Sequence, residues 1–147
     1  MALLDIFGVA GSAMSAQTVR LNVTASNLAN AQSASSSVGG TYRARHPVFA
    51  AVHARALQSA DFIPDDRDVA SPKGVRVLGV VESKAPLDMR YEPGHPLADK
   101  SGYVAYPNVN VVEEMANMIS ASRGFQVNVQ IMQAARDMAE RLLSLGQ

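Results

Sequence analysis

The residues best suited to chemistry in this chain are His46, His53 and His95, the acidic run around Asp66 and Asp68, and the adjacent pair Lys100 and Ser101. Histidines come first, because metal ligation and general-base catalysis most often use them. His46 and His53 flank a strand-like stretch seven residues apart, an interval that puts them on opposite faces, and His95 sits in "PGHP". No H-x-x-x-H or histidine–carboxylate spacing accompanies them, so they read as loop and surface residues. Asp66 and Asp68 fill the first two places of a calcium loop, but Ala70 and Ser71 stand where further ligands and a glycine are required. Lys100 lacks the glycines that would precede it in a phosphate cradle. Asn22-Val23-Thr24 matches a glycosylation sequon but falls inside a helical seam. The expectation is a protein with no catalytic, cofactor-binding or metal site, and not an enzyme.

Composition narrows the classes further. Thirteen basic and thirteen acidic residues in 147 give zero net charge. Such a balance offers no field for steering nucleic acid, anionic lipid or a charged small-molecule substrate. There is no cysteine, which excludes disulfide and thiolate chemistry. The start "MALLDIFGVAGSAMSAQ" carries Asp5 in its apolar run and no basic residue before Arg20, so no cleaved signal peptide is expected. The longest apolar windows, such as Val77 to Val81, fall far short of the roughly 20 residues needed to span a bilayer.

The elements that would position functional residues divide the chain into three zones: 1–32, 33–107 and 108–147. Residues 1–40 hold only Asp5 and Arg20 as charges, whereas 41–107 hold nine basic and eight acidic residues. Within the first zone Phe7, Met14, Leu21 and Leu28 recur every seven residues, with Leu3, Ala10 and Ala25 filling the intermediate positions, an a/d-like seam on a helix. Gly8 and Gly11 each cost about 1 kcal/mol relative to alanine, so the helix is expected to be firmest from Ser12 to Ala31. "QSASSSVGG" then reads as a flexible connector.

The middle zone predicts a small β-rich insert. "GVRVLGVVES" alternates with the two-residue period of a strand. "TYRARHPVFAAVHARAL" is a second strand, which Pro47 confines to an edge or splits. In the last zone Asn110 predicts a helix cap, with Glu113 returning the bond as in a capping box. From Val111 the stripe runs through Met115, Met118, Ser122, Phe125, Val129, Met132, Arg136, Ala139 and Leu143 in alternating steps of four and three. The predicted helix spans 111–145, roughly 50 Å at 1.5 Å per residue.

A helix that long exceeds the cover that a short insert and one partner helix can give. Two amphipathic helices at opposite ends of a chain most simply pair with each other and then with copies or relatives. The fold class predicted is mainly α with a small β-rich insert, its terminal helices paired like a coiled coil and assembling into a helical tube.

The stretch "TASNLANAQ" carries Asn27 and Asn30 inside the first seam. A buried amide in a seam costs stability but fixes register, since a shifted partner leaves its groups unpaired. Asn27 and Asn30, with Asn117 and Asn128 on the last helix, are therefore expected to set register between subunits, although Asn30 could simply end its helix. On this reading Asn27→Leu keeps or raises helicity while spoiling assembly.

"SNLANAQ" resembles the N-terminal signature of the bacterial flagellar axial proteins, the rod, hook and hook-associated group. "YEPGHPLADKSGYVAYPNVNVVEEMANMISASRGFQVNVQIMQAARDM", together with "YRARHPVF", is similar to the basal-body rod proteins of that family, and the match covers essentially the whole chain. Phe125 stands where the family usually has tyrosine, and the connector differs in composition. The resemblance implies a structural subunit of the proximal rod that transmits torque from the motor to the distal rod and hook. It implies residence in the basal body, in a rod crossing the periplasm, after unfolded export by the flagellar type III apparatus without signal cleavage. It further implies terminal helices that tend to be disordered before assembly. The implied partners are copies of the chain, other rod proteins, the adaptor at the rod base and the export apparatus. Two other classes remain open: a soluble helical adaptor or chaperone, and a small enzyme with a site in the insert.

Overall fold

The computed structural model describes residues 2–53 and 72–145 of the 147. Helix α1 spans Ala2–Asn30 and helix α2 spans Val111–Leu145. Between them lie β1 (Arg45–His53), β2 (Pro72–Glu82), β3 (Asp88–Tyr91) and β4 (Tyr103–Tyr106). The cap is at Asn110, whose Oδ1 accepts from the N–H groups of Val112 at 3.1 Å and Glu113 at 3.4 Å. Among the described residues the reciprocal bond from the Glu113 side chain is not formed, so the helix start is a one-sided cap.

The helices run antiparallel. Asn27 meets Glu114 near one end, Gln17 lies on Gly124 in the middle, and Ile6 and Val9 share a groove with Ile131 toward the other. At 1.5 Å per residue α1 is about 44 Å long and α2 about 52 Å, so the end of α2 continues past the start of α1. Leu142 and Leu143 stand uncovered there.

The seam differs from the expected one in what it buries. Phe7, Met14, Leu21 and Leu28 are only half-buried, while the enclosed positions of α1 are Ala10, Ala16, Thr24 and Asn27. On α2 the enclosed positions are Glu114, Ala121 and Ala135, one place before Met115, Ser122 and Arg136 of the predicted stripe. On α2 the buried face is thus rotated by about one position, while on α1 Ala10 of the expected seam is enclosed. Small side chains let the two backbones approach closely, and the larger neighbours close the flanks. Val111, Met115 and Leu143 are left exposed, whereas Met118, Phe125, Val129 and Met132 are half-buried.

The insert has a buried centre at one of its two strand pairs. It consists of two antiparallel pairs, β1 with β2 and β3 with β4. In the first pair Pro47 lies opposite Val80, with register shifts between Val48 and Phe49 and between Ala51 and His53. Both members of a two-stranded ribbon are edges, which is where proline is tolerated. The ribbon lies against α1, where the Val75 N–H donates to Ser12 Oγ at 3.1 Å. Its valines and leucine are largely solvent-facing: Val48, Leu78, Val80 and Val81 are all exposed.

The second pair builds the other buried centre, with Val104 fully enclosed and Ala105 and Ala44 nearly so. Its hairpin loop turns on Asp99, whose Oδ1 accepts from Ser101 N at 2.8 Å and Tyr103 N at 2.9 Å. Gly102 follows with φ of +80°, where a Cβ would come within 2.8 Å of Tyr91. Asn108 then ties the pieces together, accepting from Ala44 N at 2.8 Å and donating to Ala85 O at 3.0 Å.

The segment expected to be a flexible connector is a series of hydrogen-bonded turns. Ser35 forms a bridge with Ala105 through N–H to O contacts of 3.0 and 3.3 Å. Thr41 Oγ1 donates to Ser37 O at 2.8 Å, and Gly40 N donates to Ser37 O at 3.1 Å. The serines serve as local turn-makers, so the chain leaves α1 by a fixed path.

Candidate functional site

The residue that organises the molecule is Asn27, which has no exposed surface. Its Nδ2 donates to Arg45 O at 2.8 Å and to Glu114 Oε1 at 3.0 Å. Its Oδ1 accepts from Arg45 N at 2.9 Å and from Tyr42 Oη at 2.9 Å. A primary amide offers two donors and two acceptor lone pairs, and all four are used. Toward Arg45 the side chain pairs with both backbone groups, as a neighbouring strand would. It thereby fixes where β1 begins.

Glu114 completes the clasp from α2. Its carboxylate, on a residue only 5% exposed, sits in the opening turns of the helix. There the positive end of the helix dipole offsets part of the cost of burying a charge. Tyr42 adds a further tie, sharing a 3.2 Å hydrogen bond with Ser26 Oγ, while the Arg45 guanidinium lies 5.3 Å from its ring centroid. Arg45 also pairs with Glu82 at 2.9 Å, but both side chains are about half exposed, which makes that pair worth little.

The asparagines expected to face neighbouring subunits spend their amides inside the chain. Asn27 has no hydrogen-bonding capacity left, so the register it sets is that between α1, α2 and β1 of one subunit. Asn30 Nδ2 donates to Ser26 O at 2.8 Å, and Asn128 Nδ2 donates to Gly124 O at 2.7 Å. Both are back-bonds within their own helix. Asn117 Oδ1 accepts from Arg20 Nη2 at 2.8 Å, a second tie across the helix pair.

Glu114, Tyr42 and Arg45 were not singled out by the sequence. A signal existed for Glu114. The cap needs one acidic residue and "NVVEEM" has two, the second leading the stripe 114, 118, 121, 125.

Midway along the pair, Gln17 rests on Gly124, where a Cβ would lie 3.2 Å from Gln17 Nε2. Its Oε1 is buried without a hydrogen-bond partner. An apolar side chain of similar shape removes that penalty. Gln17→Met is expected to raise stability by about 1 kcal/mol, measured as a higher urea midpoint at unchanged slope.

Among the described residues, those suited to chemistry do not converge. His46 is exposed, and the His95 ring accepts from Leu97 N at 3.1 Å as part of a turn. The His53 side chain and Asp66, Asp68, Ala70 and Ser71 lie outside what the structure describes. Among the described residues there is no group of three or more potential metal-ligating side chains. No described helix is long and apolar enough to cross a membrane. Tyr106 Oη donates to Glu92 Oε2 at 3.2 Å. Desolvation first, then the Glu92 charge, holds that phenol above its ordinary pKa, so it stays a neutral donor.

The arrangement is therefore a set of ties that hold two helices and a ribbon in one relation. Comparison with known proteins agrees with a structural part. Residues 7–32 match the family described as flagella basal body rod protein, and residues 100–145 match the family described as flagellar basal body rod FlgEFG protein C-terminal. The chain is 48% identical over 147 residues to the flagellar basal-body rod protein FlgC of Salmonella typhimurium, covering all of both chains. It is 37% identical to the protein of the same name from Borreliella burgdorferi, covering all of this chain and 99% of that one.

Proposed function

The chain belongs to the FlgC family of flagellar basal-body rod proteins and is a structural subunit of that rod; from this premise we propose that it sits in the proximal rod and carries torque from the motor to the distal rod and hook. The observation that supports this reading most directly is the clasp at Asn27. A torque-bearing subunit must not let its axial helices slide. Four hydrogen bonds on one buried amide oppose sliding, because any shift between α1, α2 and β1 unpairs several groups at once.

The surface left over is what an assembling subunit needs. Val112 is 75% exposed and Leu143 74%, with Val111, Met115 and Met138 also uncovered on α2. These, with the half-buried Phe7, Met14, Leu21, Leu28, Met118, Phe125, Val129 and Met132, form the proposed interface with copies of the chain and other rod proteins. In the finer reading the helical ends pair like a coiled coil inside a tube. The subunit also meets an adaptor at the rod base and reaches the periplasm unfolded through the type III apparatus.

The test is where the chain goes in a motile cell. Sedimentation with detergent-resistant basal bodies, with loss of swimming when the chain is deleted and recovery when it is supplied, is the expected result. A monodisperse pool away from the basal body, with swimming unaffected by deletion, would sink this reading and favour a soluble adaptor.

A further inference from the structure

We propose, on the reading of the chain as a rod subunit, that copies pack side by side through α2, with Phe125 of one entering the groove beside Ile131 of the next. The groove has a volume of about 300 Å³. Ile6, Val9 and Ala10 of α1 form one wall and Asn128 and Ile131 of α2 the other, with Asp5 at the rim.

At about 100° per residue, α2 presents four sides through its middle and end. Ala121 and Ala135, both enclosed, face α1. Arg123, Gln126, Gln130, Gln133 and Asp137 make an exposed polar strip on the opposite side. The two sides between these are apolar. One carries Val127, Ile131, Met138 and Leu142, all exposed, and continues across the groove onto the exposed Ile6 and Val9. The other carries Met118, Phe125, Val129 and Met132, all half-buried. A helix with one side on its partner and apolar strips on both flanks is shaped for a neighbour on each flank.

A second copy is the occupant that the chain itself supplies. The exposed strip is aliphatic and bounds a hollow, and the opposite flank offers Phe125, the one aromatic side chain of α2. A groove of this size takes a ring, and aromatic anchors seated in apolar pockets dominate interface energetics. Neither flank includes a charged residue over these positions, so no unpaired charge is buried when they meet. Asp5 at the rim already has Lys73 at 3.7 Å. The contact also continues the α1–α2 seam, which reaches the groove at the enclosed Ala10.

Phe125 comes level with the groove, between Asn128 and Ile131, when the second copy stands alongside and is offset by about five residues, roughly 7 Å. The ribbon covers α1 on the same side, with Val75 on Ser12 and Lys73 on Asp5. The neighbour therefore approaches along α2, beside the first chain and not end to end with it. Giving and receiving flanks are on opposite sides of one helix, so the contact is heterologous. Each copy leaves a flank free for the next, as an extending or ring-closing assembly requires.

The chain has no cysteine, so a pair of introduced thiols reads the contact directly. In this arrangement Val129 of one copy lies opposite Ala134 of the next. Within one chain these positions are on different sides of α2 and five residues apart, too far for a disulfide, which needs Cα atoms within about 7 Å. Full-length Val129→Cys, Ala134→Cys and the double variant are each supplied to cells lacking the wild-type chain. Basal bodies are isolated and oxidised, and denaturing gels without reductant are read for multiples of the chain's mass. The expected result is a ladder from the double variant and single chains from either single variant. Dimers from a single variant as strong as those from the double indicate a two-fold contact and overturn the proposal. A double variant that enters basal bodies without forming a ladder refutes the contact and leaves the rod reading standing. Absence of wild type from basal bodies refutes the rod reading instead. Should the double variant fail to enter, Ile131→Asp and Gln130→Asp decide, both at exposed sites of α2 and both expected to keep the helical signal in circular dichroism. Ile131→Asp is expected to lower incorporation at least about tenfold, and Gln130→Asp to stay within about twofold of wild type. Equal incorporation of the two refutes the contact.

Discussion

Replacing Asn27 with leucine is expected to destabilise the chain by about 3 kcal/mol or more, even though leucine is the better helix former by roughly 0.5 kcal/mol. The gain in propensity is local, whereas the loss falls on three other segments. The Glu114 carboxylate, nearly enclosed, loses its donor. Arg45 loses partners for both its N–H and its C=O, and Tyr42 Oη loses its acceptor. Each buried group left unpaired costs about 1–3 kcal/mol. Asn27→Asp is the sharper control, since the shape is unchanged. It keeps both acceptors, deletes both donors and sets a second carboxylate against Glu114, so it should be at least as damaging. Tyr42→Phe removes one donor and is expected to cost about 1 kcal/mol. Urea unfolding of the four proteins measures the series. A leucine variant as stable as wild type would show that the clasp contributes nothing, and would return Asn27 to the between-subunit role first read from the sequence.

The sequence located α1, α2, β1 and β2 because their signals are local, and it missed the four-residue strands β3 and β4. The cap at Asn110 and the three-four stripe predict a helix over 111–145, and α2 spans Val111–Leu145. The two-residue alternation around Val77 predicts a strand, and β2 runs Pro72–Glu82. Pro47 predicts an edge, and it lies in one. Periodicity says which side of a helix is apolar, but not which neighbour approaches it or how closely. The enclosed apolar positions of the two helices are Ala10, Ala16, Ala121 and Ala135, whose small side chains carry almost no hydrophobic signal. On α2 the stripe therefore pointed one position away from the face that is buried, whereas on α1 Ala10 of the expected seam is enclosed. The clasp was legible only as a cost. Asn27 stands out as an expensive residue for a helix, yet its partners Arg45 and Glu114 lie 18 and 87 residues away. No spacing rule connects positions that meet only after the chain has turned through the insert.

The close approach of β2 to α1 at Ser12 depends on Gly74, and Gly74→Ala is expected to cost about 2–4 kcal/mol. Gly74 has φ of +146°, a conformation that L side chains rarely adopt, and a Cβ there would lie 2.5 Å from Ser12 Oγ and 3.3 Å from Ser12 Cβ. The serine cannot move aside freely, because its hydroxyl donates to Val9 O at 2.9 Å and accepts from Val75 N at 3.1 Å. An alanine therefore either strains the backbone or lifts β2 from the helix, which also breaks that second bond. Lys73 and Asp5, paired at 3.7 Å beside it, are both more than half exposed and cannot hold the ribbon alone. Two comparisons isolate the cause. Ser12→Ala deletes the hydrogen bond but leaves the space, and should cost about 1 kcal/mol. Gly79→Ala lies in the same strand with nothing within 4 Å of the added Cβ, and should stay within about 0.5 kcal/mol of wild type. Thermal unfolding, with hydrogen exchange at Val75 N–H as the local probe, reads the order. Equal stability of the Gly74 and Gly79 variants would mean that the close approach to Ser12 does not hold the ribbon. The expected ranking places the largest loss, and the only large gain in Val75 exchange besides that of Ser12→Ala, at Gly74.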